Sequence, residues 1–199
     1  MLSSTTDADR RAVLGIAAGF APVSDADFAP LLQALEGRDL AAGEALLHAG
    51  QADAREFFVL SGLVRLSVGD AQGREVTLGF CAGPCVLPPS ITRTRDGHSR
   101  IDATALEPSR VAGFDAALLT ATMLRHPAVQ RWGDAVLRGE LLRKADREWQ
   151  LAALPAAERL ALLREAMPGL EQRVAHRLIA SYLGVTPVTL SRLRRQLGT

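Results

Sequence analysis

The chain has 199 residues, of which 48% are hydrophobic and 23% charged, and its formal net charge is +1. That leaves room for one medium domain and a smaller companion. No apolar run is long enough to span a bilayer, and two cysteines, Cys81 and Cys85, are too few for a disulfide scaffold. The opening Met1-Leu-Ser-Ser-Thr-Thr-Asp7 lacks the charged and apolar regions of a signal peptide, so a cytoplasmic protein with reduced thiols and no membrane partner is expected. The charge is uneven: residues 1–135 hold 12 basic and 16 acidic groups, whereas residues 136–199 hold 11 and 6. Such asymmetry fits an acidic sensor joined to a basic nucleic-acid module.

In chain order, residues 1–19 read as an arm with one helical segment, Asp7 to Gly19. From about Asp39 to Phe114 short apolar or alternating runs are separated by glycine-bearing turns, the pattern of an antiparallel sheet or roll. The expected strands are Ala45–His48, Phe57–Leu60, Leu63–Val68, Arg74–Phe80, Arg100–Leu106 and Arg110–Phe114. A long helical region runs from 116 to about 153 and ends before Pro155. Its apolar positions Val129, Trp132 and Val136 lie on one face. Leu142, Ala145, Trp149 and Ala152 lie on another, rotated by more than 90°, with Gly139 between the two sets, so the first set suits the sheet and the second a partner chain. Residues 155–167 form a further amphipathic helix, broken by Pro168-Gly169. The fold class is α+β, with units at 20–120, 121–154 and 155–199.

The segment Val174–Leu197 reads as two amphipathic helices joined at Gly184, which sits where a left-handed backbone favours glycine. In the first, Val174, Ala175, Leu178, Ile179, Tyr182 and Leu183 share a side, leaving Arg173, His176, Arg177 and Ser181 toward water. In the second, Leu190, Leu193 and Leu197 oppose Val188, Ser191, Arg192 and Arg195. Thr186 is placed to cap this helix and Pro187 suits its first position, although Thr189 leaves the capping box incomplete. Residues 171–199 hold five arginines against Glu171 alone, and phosphate neutralisation requires such charge. A helix-turn-helix would put the polar face of the second helix in a DNA major groove. A hairpin whose arginines merely solvate a surface fits the periodicity equally well.

The run Leu178-Ile-Ala-Ser-Tyr-Leu-Gly-Val-Thr-Pro-Val-Thr-Leu-Ser-Arg192 resembles the DNA-binding motif of the Crp/Fnr family of bacterial transcription regulators, aligned without gaps over residues 174–199. Upstream, Leu40-Ala-Ala-Gly-Glu-Ala-Leu-Leu-His-Ala-Gly50 and Phe57-Phe-Val-Leu-Ser-Gly-Leu-Val-Arg65 resemble the cyclic-nucleotide-binding β-roll of the same family. The resemblance implies a β-roll sensor, a long dimerisation helix and a C-terminal reader. The implied partners are double-stranded DNA, a second copy of the chain, a small-molecule effector and RNA polymerase. It places Arg192 at a base or backbone contact and Val188 where many members carry Glu. Valine cannot accept from a cytosine amino group but packs on a thymine methyl. Arg177, Thr186, Thr189, Ser191, Arg194 and Arg195 complete the expected DNA-contacting set, mostly as phosphate contacts. The chain stops at Thr199 where typical members continue into a wing, so wing contacts are expected to be missing.

Members that bind cyclic nucleotides carry Gly-Glu and then Arg-Ser or Arg-Thr in the roll. Here the corresponding positions read Leu87-Pro88 and Ser99-Arg100-Ile101. The carboxylate is absent, Pro88 offers no N–H, and Arg100 is one residue out of place, which in a strand turns it to the other face. Leu87, Ser99 and Arg100 are therefore the candidate effector residues of a divergent pocket that is not expected to take cAMP, and the cofactor is left unassigned. Cys81, Cys85 and His98 suggest a redox or haem ligand role, but small residues inside a roll explain the cysteines as well. No nucleophile and base arrangement, metal-ligand cluster or phosphate-cradling glycine loop points to an enzyme. The competing reading is a signalling module on a degenerate roll that binds a small molecule or protein and not DNA.

Overall fold

The computed structural model describes residues 2–3, 5–69 and 72–198. Two helices lead, α1 (Asp7–Ala18) and α2 (Asp25–Gln33). Each opens on a reciprocal cap. The Thr6 and Ser24 hydroxyls accept the N–H groups of Asp9 and Asp27, whose carboxylates accept those of Thr6 and Ser24 in return. Asp9 also accepts two hydrogen bonds from the Arg110 guanidinium, at 3.2 and 2.8 Å, and so ties α1 to the sheet. That contact, more than any other, lowers the Asp9 pKa to about 2. The first helix falls where residues 7–19 were expected to be helical, and α2 is an addition whose periodicity is interrupted by Pro30.

The strands are β1 (Leu2–Ser3), β2 (Glu36–Leu40), β3 (Ala45–Leu47), β4 (Arg55–Ser61), β5 (Leu63–Gly69), β6 (Glu75–Ala82), β7 (Cys85–Val86), β8 (Thr94–Arg95), β9 (His98–Ser99), β10 (Asp102–Ala105) and β11 (Ser109–Asp115). A short helix, α3 (Ser90–Arg93), lies between β7 and β8. They form one sheet in the order β1-β2-β11-β4-β7, a second in the order β3-β10-β5-β6, and a β8-β9 hairpin, with antiparallel pairing throughout. All six expected strands are present with shifted ends. The sheets enclose Leu40, Leu46, Phe57, Val59, Leu66 and Val111. Because side chains alternate along β4, Phe58 emerges on the opposite face and meets Phe114, Phe28 and Trp132 in a separate core under the helices.

The C-terminal half is helical: α4 (Ala116–Met123), α5 (Pro127–Ala153), α6 (Ala156–Ala166), α7 (Leu170–Arg173), α8 (His176–Leu183) and α9 (Pro187–Gln196). The single helix expected from 116 to 153 is thus two. Pro127 lacks an N–H and cannot continue α4, so the chain breaks at 124–126 and restarts with proline in the first turn. In α5, Val129, Trp132 and Val136 are buried against the roll side, whereas Leu142 and Trp149 are 60% and 58% exposed. The last four helices close a third core around Leu160, Leu163, Leu170, Ile179, Leu183 and Leu190. Leu63 of β5 is buried in that core, with Phe80, Ala82 and Leu106 packed against it. The hairpin and the roll therefore share apolar surface.

Two consequences can be measured. Leu183→Ala should cost about 2–5 kcal/mol in urea unfolding, and a loss below about 1 kcal/mol would show that this core is not tightly packed. Asp9→Asn should destabilise at neutral pH, where the wild-type carboxylate is charged and paired. Because the folded pKa is depressed, that difference should fade as pH falls from the ordinary 3.8 toward about 2.

Candidate nucleic-acid interface and effector cavity

Helix α9 follows a turn fixed by Gly184, whose φ of 67° suits glycine, and by the Thr186 hydroxyl, which accepts the Thr189 N–H at 3.1 Å. Thr186 and Thr189 also pair hydroxyl to hydroxyl at 2.9 Å. Leu190 anchors the inner face at 1% exposure, while Val188 on the outer face is 62% exposed. Ser191, Arg192 and Arg195 are exposed with it, and Arg177 is exposed on α8. Among the described residues, no acid forms an ion pair with Arg177, Arg192 or Arg195.

Two arginines of the basic segment are instead engaged within the protein. Arg194 lies 3.0 Å from the Glu171 carboxylate, which also pairs with Arg164, and donates to the His176 ring. Arg173 pairs at 2.6 Å with Glu107, beside the β10–β11 turn. Ser181, expected to face water, is half-buried and accepts the Thr77 N–H of β6 at 2.9 Å. Ala175, expected on the dry side, is exposed because α8 begins only at His176. Beside Ser181, Tyr182 packs on Phe80 with ring centroids 5.6 Å apart, and Arg147 of α5 lies 3.9 Å over its ring and donates to its carbonyl. A short helix flanked by its own core and by β6 has two contacting faces, and local periodicity cannot reveal the second.

In the roll, the three candidate effector residues do not converge. Leu87 is fully buried and donates its N–H to Phe57. Ser99 is buried with its hydroxyl donating to the Ile101 carbonyl, and Arg100 is exposed. Nearby in sequence, Arg93 is only 2% exposed and is consumed internally. It makes two hydrogen bonds to Asp53, at 2.9 and 3.0 Å, a third to the Pro88 carbonyl and a fourth to that of Arg55. Glu56 stands 3.6 Å away and holds the N–H and hydroxyl of Ser90. This buried network was not anticipated, because Asp53 and Arg93 are 40 positions apart and no motif links them.

A cavity of about 550 Å³ opens beside Leu87 and Pro88, between β6, β7 and α5, and reaches Met167 at the end of α6 and Tyr182 of the hairpin. Cys81, Cys85, Glu140 and Arg143 line it, whereas Ser99 and Arg100 do not. Its size is that of a small-molecule site. Arg143 makes hydrogen bonds of 2.7 and 2.8 Å to Glu140, an interaction that holds its pKa above the ordinary value. The two thiols share a hydrogen bond that pushes Cys81 up and Cys85 down, burial adding to the rise at Cys81. No group of three or more His, Cys, Asp or Glu suited to a metal occurs among the described residues. No helix among them is long and apolar enough to cross a membrane.

Residues 37–126 match the family described as the cyclic nucleotide-binding domain. No curated protein matches the chain. Among solved structures, FixK2 from Bradyrhizobium japonicum is similar at 22% identity and a TM-score of 0.69, over 81% of this chain and 83% of that one. The c-di-GMP responsive global regulator CLP of Xanthomonas campestris is similar at 15% identity and 0.69, over 87% and 91%. The catabolite activator protein of Thermus thermophilus is similar at 24% identity and 0.55, over 89% and 85%. At such identities the likeness is one of fold. The chain thus shares the fold of these regulators, and its residues 37–126 match the cyclic nucleotide-binding domain model.

Proposed function

We propose that this protein is a cytoplasmic, homodimeric transcription regulator that reads a pseudo-palindromic DNA site with α9. The observation that carries the reading is the outward face of that helix, where Val188, Ser191, Arg192 and Arg195 stand in solvent above the buried Leu190. Exposed arginines without acidic partners are available for phosphates and guanine edges. Arg192 is assigned to a base and Val188 to a thymine methyl, while Arg195, Arg177 and the Ser191 hydroxyl hold phosphates. Arg194 contributes to the field of the site but would have to leave Glu171 and His176 to touch DNA. Thr186 and Thr189 act chiefly by fixing the start of the helix.

Dimerisation is assigned to α5, whose Leu142 and Trp149 are exposed on the face away from the roll. In this division residues 20–120 sense, 121–154 join two subunits and 155–199 read DNA. A dimer of this kind sets two recognition helices about 34 Å apart on successive major grooves. RNA polymerase is a partner by resemblance to the family. Leu87 and Ser99 are buried and engaged within the protein, and Pro88 offers no N–H to a phosphate, so the effector is assigned to a class other than cAMP. Adding cAMP should accordingly leave the melting temperature and DNA affinity unchanged, and a saturable rise in either would overturn that assignment.

DNA sites selected from a random duplex pool test the reader. Arg192→Ala should cost about 1–3 kcal/mol and relax preference at one position of each half-site, whereas Arg195→Ala should weaken all sequences alike and reduce the salt slope by about 1. Absence of duplex binding by the wild type at low salt would favour the signalling module that does not bind DNA.

A further inference from the structure

Strands β6 and β7 each bring one cysteine to the same wall of the larger cavity. Side chains alternate along β6, so Phe80 and Ala82 pack on the hairpin core while Cys81 between them packs on the roll core. Cys85 packs on that same roll core, and both are free, partly exposed thiols. Their backbones are pinned. Cys81 pairs with Val64 and Cys85 with Val59, and in the turn between them the Gly83 N–H donates to the Gly62 carbonyl. The thiols share a hydrogen bond, which places the sulfurs in non-covalent contact. A disulfide needs them about 2 Å apart, and the ladders oppose that approach. A centre that bonds two sulfurs and bends between them spans such a gap with the strands in place. Among the described residues no third His, Cys, Asp or Glu completes a metal site, so the pair lacks the four ligands of structural zinc. Glu140, also in the lining, is engaged by Arg143 and Lys144. Phe80, Val86, Val136, Met167 and Tyr182 give the same space a largely apolar wall.

We propose that Cys81 and Cys85 form a dithiol site for a trivalent organoarsenical, whose arsenic bridges the two sulfurs while its apolar substituent fills the cavity. The hydrated oxide, R–As(OH)₂, condenses with both thiols. Two As–O bonds break and two As–S bonds form, and each thiol proton leaves with a hydroxide as water. Arsenic stays trivalent, so no oxidant or reductant is consumed. Once one sulfur is bonded the second attacks intramolecularly, which raises affinity over a single thiol by about 10²–10⁴. A straight S–metal–S link, as two-coordinate copper(I) forms, holds its sulfurs further apart than a hydrogen-bonded pair and leaves the cavity empty. The apolar walls and the space of about 550 Å³ suit an aromatic substituent instead. None of this depends on the chain binding DNA.

The test titrates the reduced full chain with phenylarsine oxide and with arsenite, read by intact mass and by the count of free thiols. One phenylarsenic unit should bind per chain, consume both thiols, survive excess glutathione and be released by 2,3-dimercaptopropanol. Cys81→Ser and Cys85→Ser should each weaken binding by about a hundredfold or more, with urea unfolding confirming that the variants fold. Phenylarsine oxide should bind more tightly than arsenite. Gly139→Phe should erase most of that preference by occupying the cavity. Gly139 lines it at an exposed position of α5, a Cβ there meets only Phe20 at 3.9 Å, and a helix interior gains from losing glycine. Uptake that leaves one thiol free in the wild type would overturn the proposal, and that count decides even if a serine variant does not fold. Undiminished binding by a single-cysteine variant, release by glutathione, or no uptake would overturn it too. Equal affinity for the two arsenicals, or a preference unchanged by Gly139→Phe, would show that the cavity takes no part. Closure of the pair to a disulfide in air, with no thiol left for arsenic, would assign it to redox chemistry instead.

Discussion

Everything that faces outward in the C-terminal hairpin depends on what is buried beneath it. Leu190 is enclosed with Ile179, Leu183 and Leu160, and that cluster runs on into Leu63 and Phe80 of the roll. Burial of such side chains contributes about 1.5–3 kcal/mol each, far more than any exposed ion pair nearby. It fixes the rotation of α9 about its axis, and a helix with one dry side has no choice about which residues it shows to water. Val188, Ser191, Arg192 and Arg195 are displayed because Leu190 is buried and Leu193 partly so, whereas Leu197, just past the end of the helix, is 43% exposed.

The same apolar contact gives the roll a mechanical connection to the hairpin. Strand β6 carries Thr77, which donates to Ser181, then Phe80, which packs on Tyr182, then Cys81, which lines the larger cavity. Arg147 brings α5 onto the same tyrosine. A change in that cavity therefore meets the hairpin within one or two side chains, on elements held by hydrogen bonds and packed rings. The buried Arg93 network ties a different pair of elements. An isolated buried charge is very costly, whereas Asp53, Glu56 and the Pro88 carbonyl together satisfy the guanidinium and so hold α3 against the start of β4.

What could be read from the sequence was governed by local pattern. The leucine and arginine spacing of 188–195, the cap at Thr186, the glycine at 184 and six strands between turns all depend on residues within a few positions of one another, and each appears in the fold, whereas Leu197, expected on the inner face, falls past the helix end and is exposed. What could not be read was set at a distance. Ser181 looked solvent-facing until β6 was placed beside it, and Arg194 looked available until Glu171 and His176 were folded against it. Arg93 drew no notice because its carboxylate lies 40 positions earlier. The two-residue strands β7, β8 and β9 are too short to carry a period. The break before Pro127 was legible in principle from the proline alone, but the apolar residues on both sides masked it.

The most direct test of the outward face of α9 as a DNA reader is cleavage from the helix itself. A chain with both native cysteines replaced by serine and Ser191→Cys, labelled there with an iron chelate, would be bound to a duplex and triggered to cut. Two clusters of cuts in the major groove, one helical turn apart and symmetric about the centre of the site, are expected. Even cutting along the duplex, or none while the protein remains bound, would contradict the placement of α9 on DNA.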